Sequence, residues 1–182
     1  MDWNDDHDLA RPIGQWDPTP GKHDSWLRYG RMESIFQTAG GMAGLMGLAA
    51  AWHTQVMGDE VVAHAFSHGY KIDHTERLAA YWAEALGGPT AYTETYGDET
   101  SVVRLHSGNG PHDDMNVRAI ACFDAALNDV GWPQDERLGR TLHDYFAWAT
   151  LGSLDEYHDN ADDVPERLAV PKWSWDGPVP SR

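Results

Sequence analysis

The sequence predicts a single all-α domain, with four principal helices and shorter helical turns between them. Apolar residues recur in several segments at the i, i+3, i+4, i+7 spacing of a helix with one buried face. Glycine and proline end these segments, and no segment has the alternation expected of a strand. A chain of 182 residues can form one domain with a real core, and it shows no internal repeat and no second domain.

The first long helix is predicted from about Gly41 to Met57, followed by helical turns between Asp59 and Phe66. The second helix is predicted to begin after Asp73, because Asp73 and Glu76 have the spacing of a capping box. The run Gly87-Gly88-Pro89 ends this helix, since glycine and proline favour a stop at that point.

The helices of the second half of the chain are predicted from the same apolar spacing and the same glycine and proline signals. Residues 90–98 have no clear period and are predicted to be irregular, and a short helix is expected from Thr100 to His106. A long amphipathic helix is predicted from Asp114 to Val130. The last long helix is predicted to open at Pro133, because proline is well suited to the first turn of a helix.

Two segments rich in proline and tryptophan flank this helical region. We expect an N-terminal arm over residues 1–30, a helical domain over residues 31–158 and a C-terminal arm over residues 159–182. The C-terminal arm contains Trp173 and Trp175 and is predicted to be extended. We expect it to cover exposed core, and the alternative is a tail that binds a partner.

Composition excludes several classes of function. The net charge of −16 disfavours nucleic acid and anionic membrane surfaces as partners, and it suits docking to a basic protein. No apolar run approaches the roughly 20 residues of a membrane span. The acidic beginning of the chain does not resemble a secretory signal, and Cys122 alone cannot form an internal disulfide. A cytoplasmic protein is therefore expected, and the oligomeric state stays open.

Three of the ten histidines have positions that favour a function. His53 lies within the apolar face of the first long helix, His74 begins that of the second, and His106 ends the short helix. A buried histidine needs a hydrogen-bond partner or a metal. The positions of these three histidines therefore favour one site that they share. The others are predicted to lie at the surface: His7, His23, His64, His68, His112, His143 and His158.

The spacing of these residues excludes several other sites. There is no paired cysteine or H-E-x-x-H run for zinc, and no Glu-x-x-His motif for a di-iron bundle. Phosphate-binding loops and nucleophile elbows are also absent from the sequence. A large flat cofactor between helices fits better, with its metal held by one histidine and faced by two others. Haem meets that description.

The chain resembles group II truncated haemoglobins over about residues 33–152. The most specific feature is the Gly-Gly-Pro-x-x-Tyr run from Gly87 to Tyr92, placed between helices. The resemblance implies a truncated globin, a two-over-two helical sandwich around haem b (iron protoporphyrin IX). The matching segments are IFQTAGGMAGLMGLAAAWHTQVMGDEVVAHAF, HTERLAAYWAEALGGPTAY and VRAIACFDAALNDVG.

The resemblance also implies roles for individual residues. It assigns His106 as the axial ligand to the iron, with His112 as the fallback. It places His74 where the distal helix first faces the iron, and Leu78 one turn further along. Arg77 matches a basic residue that often meets a haem propionate. The complete set of cofactor contacts implied by the resemblance is His106, Phe66, His74, Arg77, Leu78, Tyr92 and Ala119.

Three departures from the family pattern bear on function. His53 stands where the family usually has tyrosine, Ala119 stands where it usually has tryptophan, and LHSGNG replaces the usual stretch around the axial histidine. The usual tyrosine and tryptophan donate hydrogen bonds to bound oxygen, so His53 and His74 are expected to supply donors instead. Ala119 is expected to open the distal pocket unless another side chain fills it.

The resemblance supports a gas-binding haem protein. It implies O₂, NO or CO as the ligand opposite His106, with NO dioxygenase activity if an electron-donor reductase is available. In one variant, His74 or His53 is the sixth ligand of the resting iron. The alternative is a peroxidase-like oxidoreductase, with His74 and His53 as catalytic residues that move a proton. A third reading is a globin fold that has lost haem and uses its tryptophan-rich arms to bind a partner.

Overall fold

The computed structural model describes residues 33–67, 69–108, 113–132, 135–152 and 158–180. The predicted N-terminal arm, residues 1–30, lies outside the described residues. Within the described ranges, no helix has both the length and the apolar character needed to cross a bilayer.

The described residues form eight α-helices, two 3₁₀ turns and one small antiparallel sheet. The helices are α1 (Ile35–Thr38), α2 (Gly41–Gly58), α3 (Glu60–Ala63), α4 (His74–Ala85), α5 (Ala91–Thr95), α6 (Glu99–His106), α7 (Asp113–Asp129) and α8 (Glu136–Gly152). The 3₁₀ turns are His64–Phe66 and Ala161–Asp163, and the strands are β1 (Lys172–Ser174) and β2 (Gly177–Val179).

Two helix pairs enclose the core. Helix α2 packs against α4, α7 packs against α8, and α2 also packs against α7, so that the two pairs share one interior. Four aromatic residues form part of this core: Trp52, Trp82, Phe123 and Phe146. The rings of Phe123 and Phe146 stack with centroids 4.1 Å apart, and Trp82 meets Phe123 edge to face at 5.4 Å. The predicted all-α, two-over-two sandwich is confirmed.

The structure corrects three local predictions. Residues 90–98 are not wholly irregular, because they contain α5. The predicted capping box at Asp73 is absent: its Oδ1 instead accepts a hydrogen bond from Arg77 Nε at 2.8 Å. The last long helix begins at Glu136, later than predicted, because Asp135 Oδ1 caps it by accepting hydrogen bonds from the backbone N–H groups of Arg137 and Leu138. Pro133, where the helix was predicted to open, lies outside the described residues.

The C-terminal arm contains a β-hairpin. This hairpin was not predicted, because the arm was expected to be extended and without strands. Lys172 pairs with Val179, and Ser174 pairs with Gly177. The prediction that the arm covers core is confirmed, since Trp173 is buried against Tyr145 and Trp148 of α8. Burial of this large aromatic side chain ties the arm to the helical body.

A buried carboxylate joins the arm to α4. Glu84 Oε1 accepts hydrogen bonds from the Thr93 hydroxyl at 2.7 Å and from Lys172 Nζ at 3.2 Å, and Oε2 accepts one from the Thr93 backbone N–H at 2.9 Å. Burial raises the pKa of Glu84, but the hydrogen bonds from Thr93 and Lys172 outweigh it and hold the pKa below its ordinary 4.5. The ionised carboxylate is therefore the form that stabilises the fold.

We expect the Glu84→Gln variant to be less stable than the wild type by about 1–2 kcal/mol at pH 7, because charge-assisted hydrogen bonds are lost from a buried site. Since the pKa of Glu84 is lowered on folding, its contribution is complete above about pH 4.5 and disappears as the pH falls through the folded-state value. Urea unfolding between pH 3 and pH 7 should therefore show the two proteins converging in acid.

The exposed Glu94, whose Oε1 accepts a hydrogen bond from the Thr90 hydroxyl, provides the matched control for Glu84. We expect Glu94→Gln to change stability by no more than about 0.5 kcal/mol at any pH. A constant difference between Glu84→Gln and the wild type across the pH range would contradict the role given to ionised Glu84.

Candidate functional site

Helices α2 and α4 bring two of the three predicted histidines together. His53 lies in α2 and His74 is the first residue of α4, and their ring centroids are 5.5 Å apart. Both side chains are half-buried. The contact follows from the packing of α2 on α4, because the inward face of each helix carries one imidazole.

Each of these two histidines has a buried nitrogen without a partner. His53 Nε2 and His74 Nδ1 are shielded from solvent and have no hydrogen-bond partner among the described residues. A buried polar atom left in this way costs about 1–3 kcal/mol, and native structures contain few of them. Two such atoms in one cluster mark it as a candidate site for a polar ligand.

Phe66 and Tyr70 complete the cluster. Phe66 lies edge-on to both imidazoles, 5.8 Å from His53 and 5.3 Å from His74. Tyr70 lies 4.7 Å from His53 and 5.7 Å from His74, and it is 48% exposed. The sequence did not predict Tyr70, because its segment has no helical period and lies between the segments that resemble the family. We name these four residues, His53, Phe66, Tyr70 and His74, the distal cluster.

The surroundings of His74 favour a neutral imidazole. Burial is the largest effect that lowers its pKa, followed by the charge that His53 carries when protonated. The Asp73 carboxylate raises the pKa, whereas His106 lowers it further. The net pKa lies below the ordinary 6.5, so the ring is uncharged at neutral pH and keeps one nitrogen as donor and the other as acceptor.

His106 is the last residue of α6, and its side chain is exposed. Its Nδ1 lies 2.9 Å from the backbone carbonyl oxygen of Val102, one turn earlier in the same helix. With the proton on Nδ1 this contact is a hydrogen bond, and the lone pair is then on Nε2. A bond of this kind orients a metal-ligating imidazole and makes its other nitrogen a better ligand.

The remaining predicted contacts are distributed around α4. Arg77 donates a hydrogen bond from Nε to Asp73 Oδ1 at 2.8 Å and another from Nη1 to the Tyr96 carbonyl oxygen at 3.4 Å. Tyr92 is half-buried against Tyr81, with ring centroids 5.2 Å apart, and burial is the main cause that raises its pKa. Leu78 is half-buried and packs against the core.

Ala119 of α7, which the sequence resemblance places where the family usually has tryptophan, lies beside the indole of Trp52. The backbone carbonyl oxygen of Ala119 accepts a hydrogen bond from Trp52 Nε1 at 3.5 Å. Trp52 is the neighbour of His53 in α2, but its ring turns into the core, where it meets Trp82 and Phe146. The indole therefore borders the position of Ala119 from the side of the core.

The other histidines differ in their surroundings. His64 is exposed, as predicted. His143 is only partly exposed, and its Nδ1 lies 2.7 Å from Asp124 Oδ1, whereas His158 is half-buried. Within the described ranges, no group of three or more His, Cys, Asp or Glu side chains is arranged to hold a bare metal ion. Four predictions fall outside the described residues: His7, His23, His68 and His112.

Comparisons with known proteins agree with the fold described above. A family model described as bacterial-like globin matches residues 34–147. No curated protein is significantly similar in sequence. The similar solved structures include the group II truncated hemoglobin from Bacillus anthracis, with a TM-score of 0.57, 16% identity, and 66% of this chain and 90% of that chain covered.

Two further structures show the same fold. The thermostable hemoglobin from Thermobifida fusca has a TM-score of 0.56 at 21% identity, with 66% of this chain and 95% of that chain covered. The hemoglobin from Chloroflexus aurantiacus has a TM-score of 0.54 at 22% identity, with 66% of this chain and 97% of that chain covered. In all three cases the match spans most of the other protein and about two thirds of this chain.

Proposed function

Because the chain belongs to the bacterial-like globin family, we propose that it binds haem b with His106 as the axial ligand and holds a diatomic gas at the distal cluster. The observation that carries this proposal is the pair of buried, unpartnered nitrogens, His53 Nε2 and His74 Nδ1. When bound, haem supplies an iron atom that coordinates O₂, NO or CO. The residues present fit such a group.

His106 supplies the metal-binding side of the site. Its Nδ1 contact with Val102 favours the tautomer that leaves the lone pair on Nε2, which is the form of imidazole that ligates a metal. His106 also lowers the pKa of His74, as the smallest of the effects on it. This electrostatic effect supports the assignment of both imidazoles to one cofactor site.

His53 and His74 supply the hydrogen bonds on the gas-binding side. A proton on His74 Nδ1 or on His53 Nε2 gives an N–H donor inside the cluster, where no described residue competes for it. Such a donor stabilises negative charge that develops on a bound oxygen atom, and it does so strongly because the surroundings are shielded from water. These donors replace those that the family's usual tyrosine and tryptophan provide.

Apolar side chains support a large, flat ligand. Leu105, next to His106, is 77% exposed, and Ile72, two residues before His74, is fully exposed. Phe66 presents its ring to both distal imidazoles. Covering large apolar side chains is favourable by about 25 cal/mol for each Å² removed from water, so a haem macrocycle in contact with them would bind more tightly.

The state of Arg77 favours gas binding over the peroxidase-like alternative. Cleavage of a peroxide is assisted by positive charge near the distal histidine, because that charge stabilises the departing oxygen. The Arg77 guanidinium is instead held by Asp73 and by the backbone of Tyr96. The NO dioxygenase activity inferred from the sequence would need a reductase, and a basic partner suits the acidic chain.

We expect the purified protein, reconstituted with haem b, to have an intense Soret band in its ferric, ferrous and CO-bound forms. The His106→Ala variant should lose this band or shift it strongly, because the axial nitrogen is absent. The His53→Ala and His74→Ala variants should keep the band. A ferric spectrum that changes in one of these two variants would identify that histidine as a sixth ligand.

His143→Ala is the matched control, since this histidine belongs to α8 and is paired with Asp124. Its spectra should equal those of the wild type. If the wild type has no Soret band, the haem proposal is wrong and the haem-free reading gains support. If His106→Ala retains the wild-type spectra, another residue is the axial ligand.

A further inference from the structure

A segment of the C-terminal arm lies along α6, the helix that ends at His106. We name this segment, together with His158 just before the arm, the strap (His158–Leu168). Its 3₁₀ turn Ala161–Asp163 packs closely against α6. Val164 of the strap is buried, as is Val103 of α6. Nothing in the family resemblance assigns a role to this segment, since it follows the matched residues.

The strap binds the end of α6 through the backbone. The Gly108 N–H donates to the carbonyl oxygen of His158 at 2.9 Å, and the His158 N–H donates to Ser107 Oγ at 3.1 Å. The Ser107 hydroxyl in turn donates to the carbonyl oxygen of Val103 at 2.8 Å. These three bonds hold the residues that directly follow His106.

A second set of bonds holds the beginning of α6. The Thr100 hydroxyl donates to the carbonyl oxygen of Pro165 at 3.0 Å and accepts from the Leu168 N–H at 2.9 Å. Thr100 is 1% exposed, so water cannot replace either bond. An ion pair between Arg104 and Glu166 at 2.6 Å adds a contact at the surface.

The strap and His106 use different faces of α6. At about 100° per residue, Thr100, Arg104 and Ser107 lie on one side of the helix, and His106 lies about 120° away from Thr100. The strap therefore contacts α6 without covering the imidazole. A helix of 8 residues has little stability of its own and depends on tertiary contacts for its position.

We propose that the strap positions α6 and thereby sets the orientation and mobility of the His106 imidazole, with Thr100 and Ser107 as the positioning residues. The His106 part of this inference rests on the proposed function. Because Nδ1 of His106 is held by Val102 of the same helix, the ring follows any displacement of α6. The strap acts as a restraint on the metal-binding side of the site.

The test uses the full chain with Thr100→Val, which keeps the shape of the side chain and removes both hydrogen bonds, and with Thr100→Ser, which keeps the hydroxyl. Amide hydrogen exchange without haem should be about tenfold faster or more within α6 of Thr100→Val, and within about threefold of wild type in α2 and α8. Thr100→Ser should restore protection. In the ferrous haem-bound protein, the iron–histidine stretching band in the Raman spectrum should shift or broaden in Thr100→Val.

Thr141→Val is the matched control, because Thr141 is a buried threonine of α8. It should leave exchange in α6 and the Raman band unchanged. Equal acceleration of exchange in all helices of Thr100→Val, or an unchanged Raman band, overturns the positioning role. If the wild type has no iron–histidine band that His106→Ala removes, the proposed function fails instead, and the exchange data still decide whether the strap holds α6.

Discussion

The His74→Leu variant is expected to be more stable than the wild type without haem, and to release oxygen faster with haem. Both effects come from the same atom. His74 Nδ1 is buried and unpartnered among the described residues, so it destabilises the protein when no ligand is present. The same nitrogen is placed to donate a hydrogen bond once a polar ligand enters the distal cluster.

The expected magnitudes follow from the cost of an unmade hydrogen bond. Replacing an unpartnered polar group by an apolar side chain of similar size should stabilise the haem-free protein by about 1–2 kcal/mol. Loss of a donor to a partly negative oxygen should weaken binding by about 1.5–3 kcal/mol, or roughly 10- to 160-fold in the rate of oxygen release. Urea unfolding of the haem-free protein and stopped-flow oxygen release measure the two effects separately.

His64→Leu is the control for this pair of measurements, because His64 is exposed. We expect it to change neither quantity appreciably. A haem-free His74→Leu protein that is less stable than the wild type would mean that Nδ1 has a partner, and the argument for the distal cluster would lose its main support. If oxygen release is faster but the haem-free protein is not more stable, then His74 donates to the ligand but its buried Nδ1 does not destabilise the haem-free protein.

The principal helices could be predicted because apolar residues recur at helical spacing along them. The helix predicted from Gly41 to Met57 is observed as Gly41–Gly58, and the one predicted from Asp114 to Val130 is observed as Asp113–Asp129. A repeated apolar spacing reports directly which face of a helix is buried. Helix α1 was missed although Ser34 and Gln37 form a capping box, because the helix is only 4 residues long and has no period to detect.

The contact between His53 and His74 could be anticipated because each residue lies on a predicted inward face. The position of Tyr70 could not, since a loop residue has no period that reveals its direction. The contacts of the C-terminal arm could not be predicted from the sequence either. Lys172 contacts Glu84, which is 88 residues away in the chain, and Leu168 contacts Thr100, which is 68 residues away. Hydrogen bonds between distant segments leave no local pattern, so only the folded chain reveals the strap.

The Gly44→Ala variant is expected to be severely destabilised, by about 3 kcal/mol or more. A Cβ atom on Gly44 would overlap the backbone carbonyl oxygen of Ala39 and would lie 3.2 Å from Cζ2 of Trp132. The carbonyl belongs to the turn before α2, where Gly40 has a positive φ of 81° and Gly41, the first residue of α2, has one of 66°. Backbone in this conformation cannot yield as a flexible side chain would, so the added methyl group forces the helix and the turn apart.

Gly47 lies within the same helix and provides a control in which only the surroundings differ. A Cβ atom there would meet nothing within 4 Å. Gly47→Ala should therefore stabilise the protein by about 0.5–1 kcal/mol, because alanine loses less backbone entropy in a helix than glycine does. Urea unfolding of the two variants measures the change in the free energy of unfolding. We expect this change to be negative for Gly44→Ala and positive for Gly47→Ala, although both are the same substitution in the same helix. A Gly44→Ala protein as stable as Gly47→Ala would mean that α2 does not approach Ala39 as closely as described, and the start of the helix would have to be placed differently.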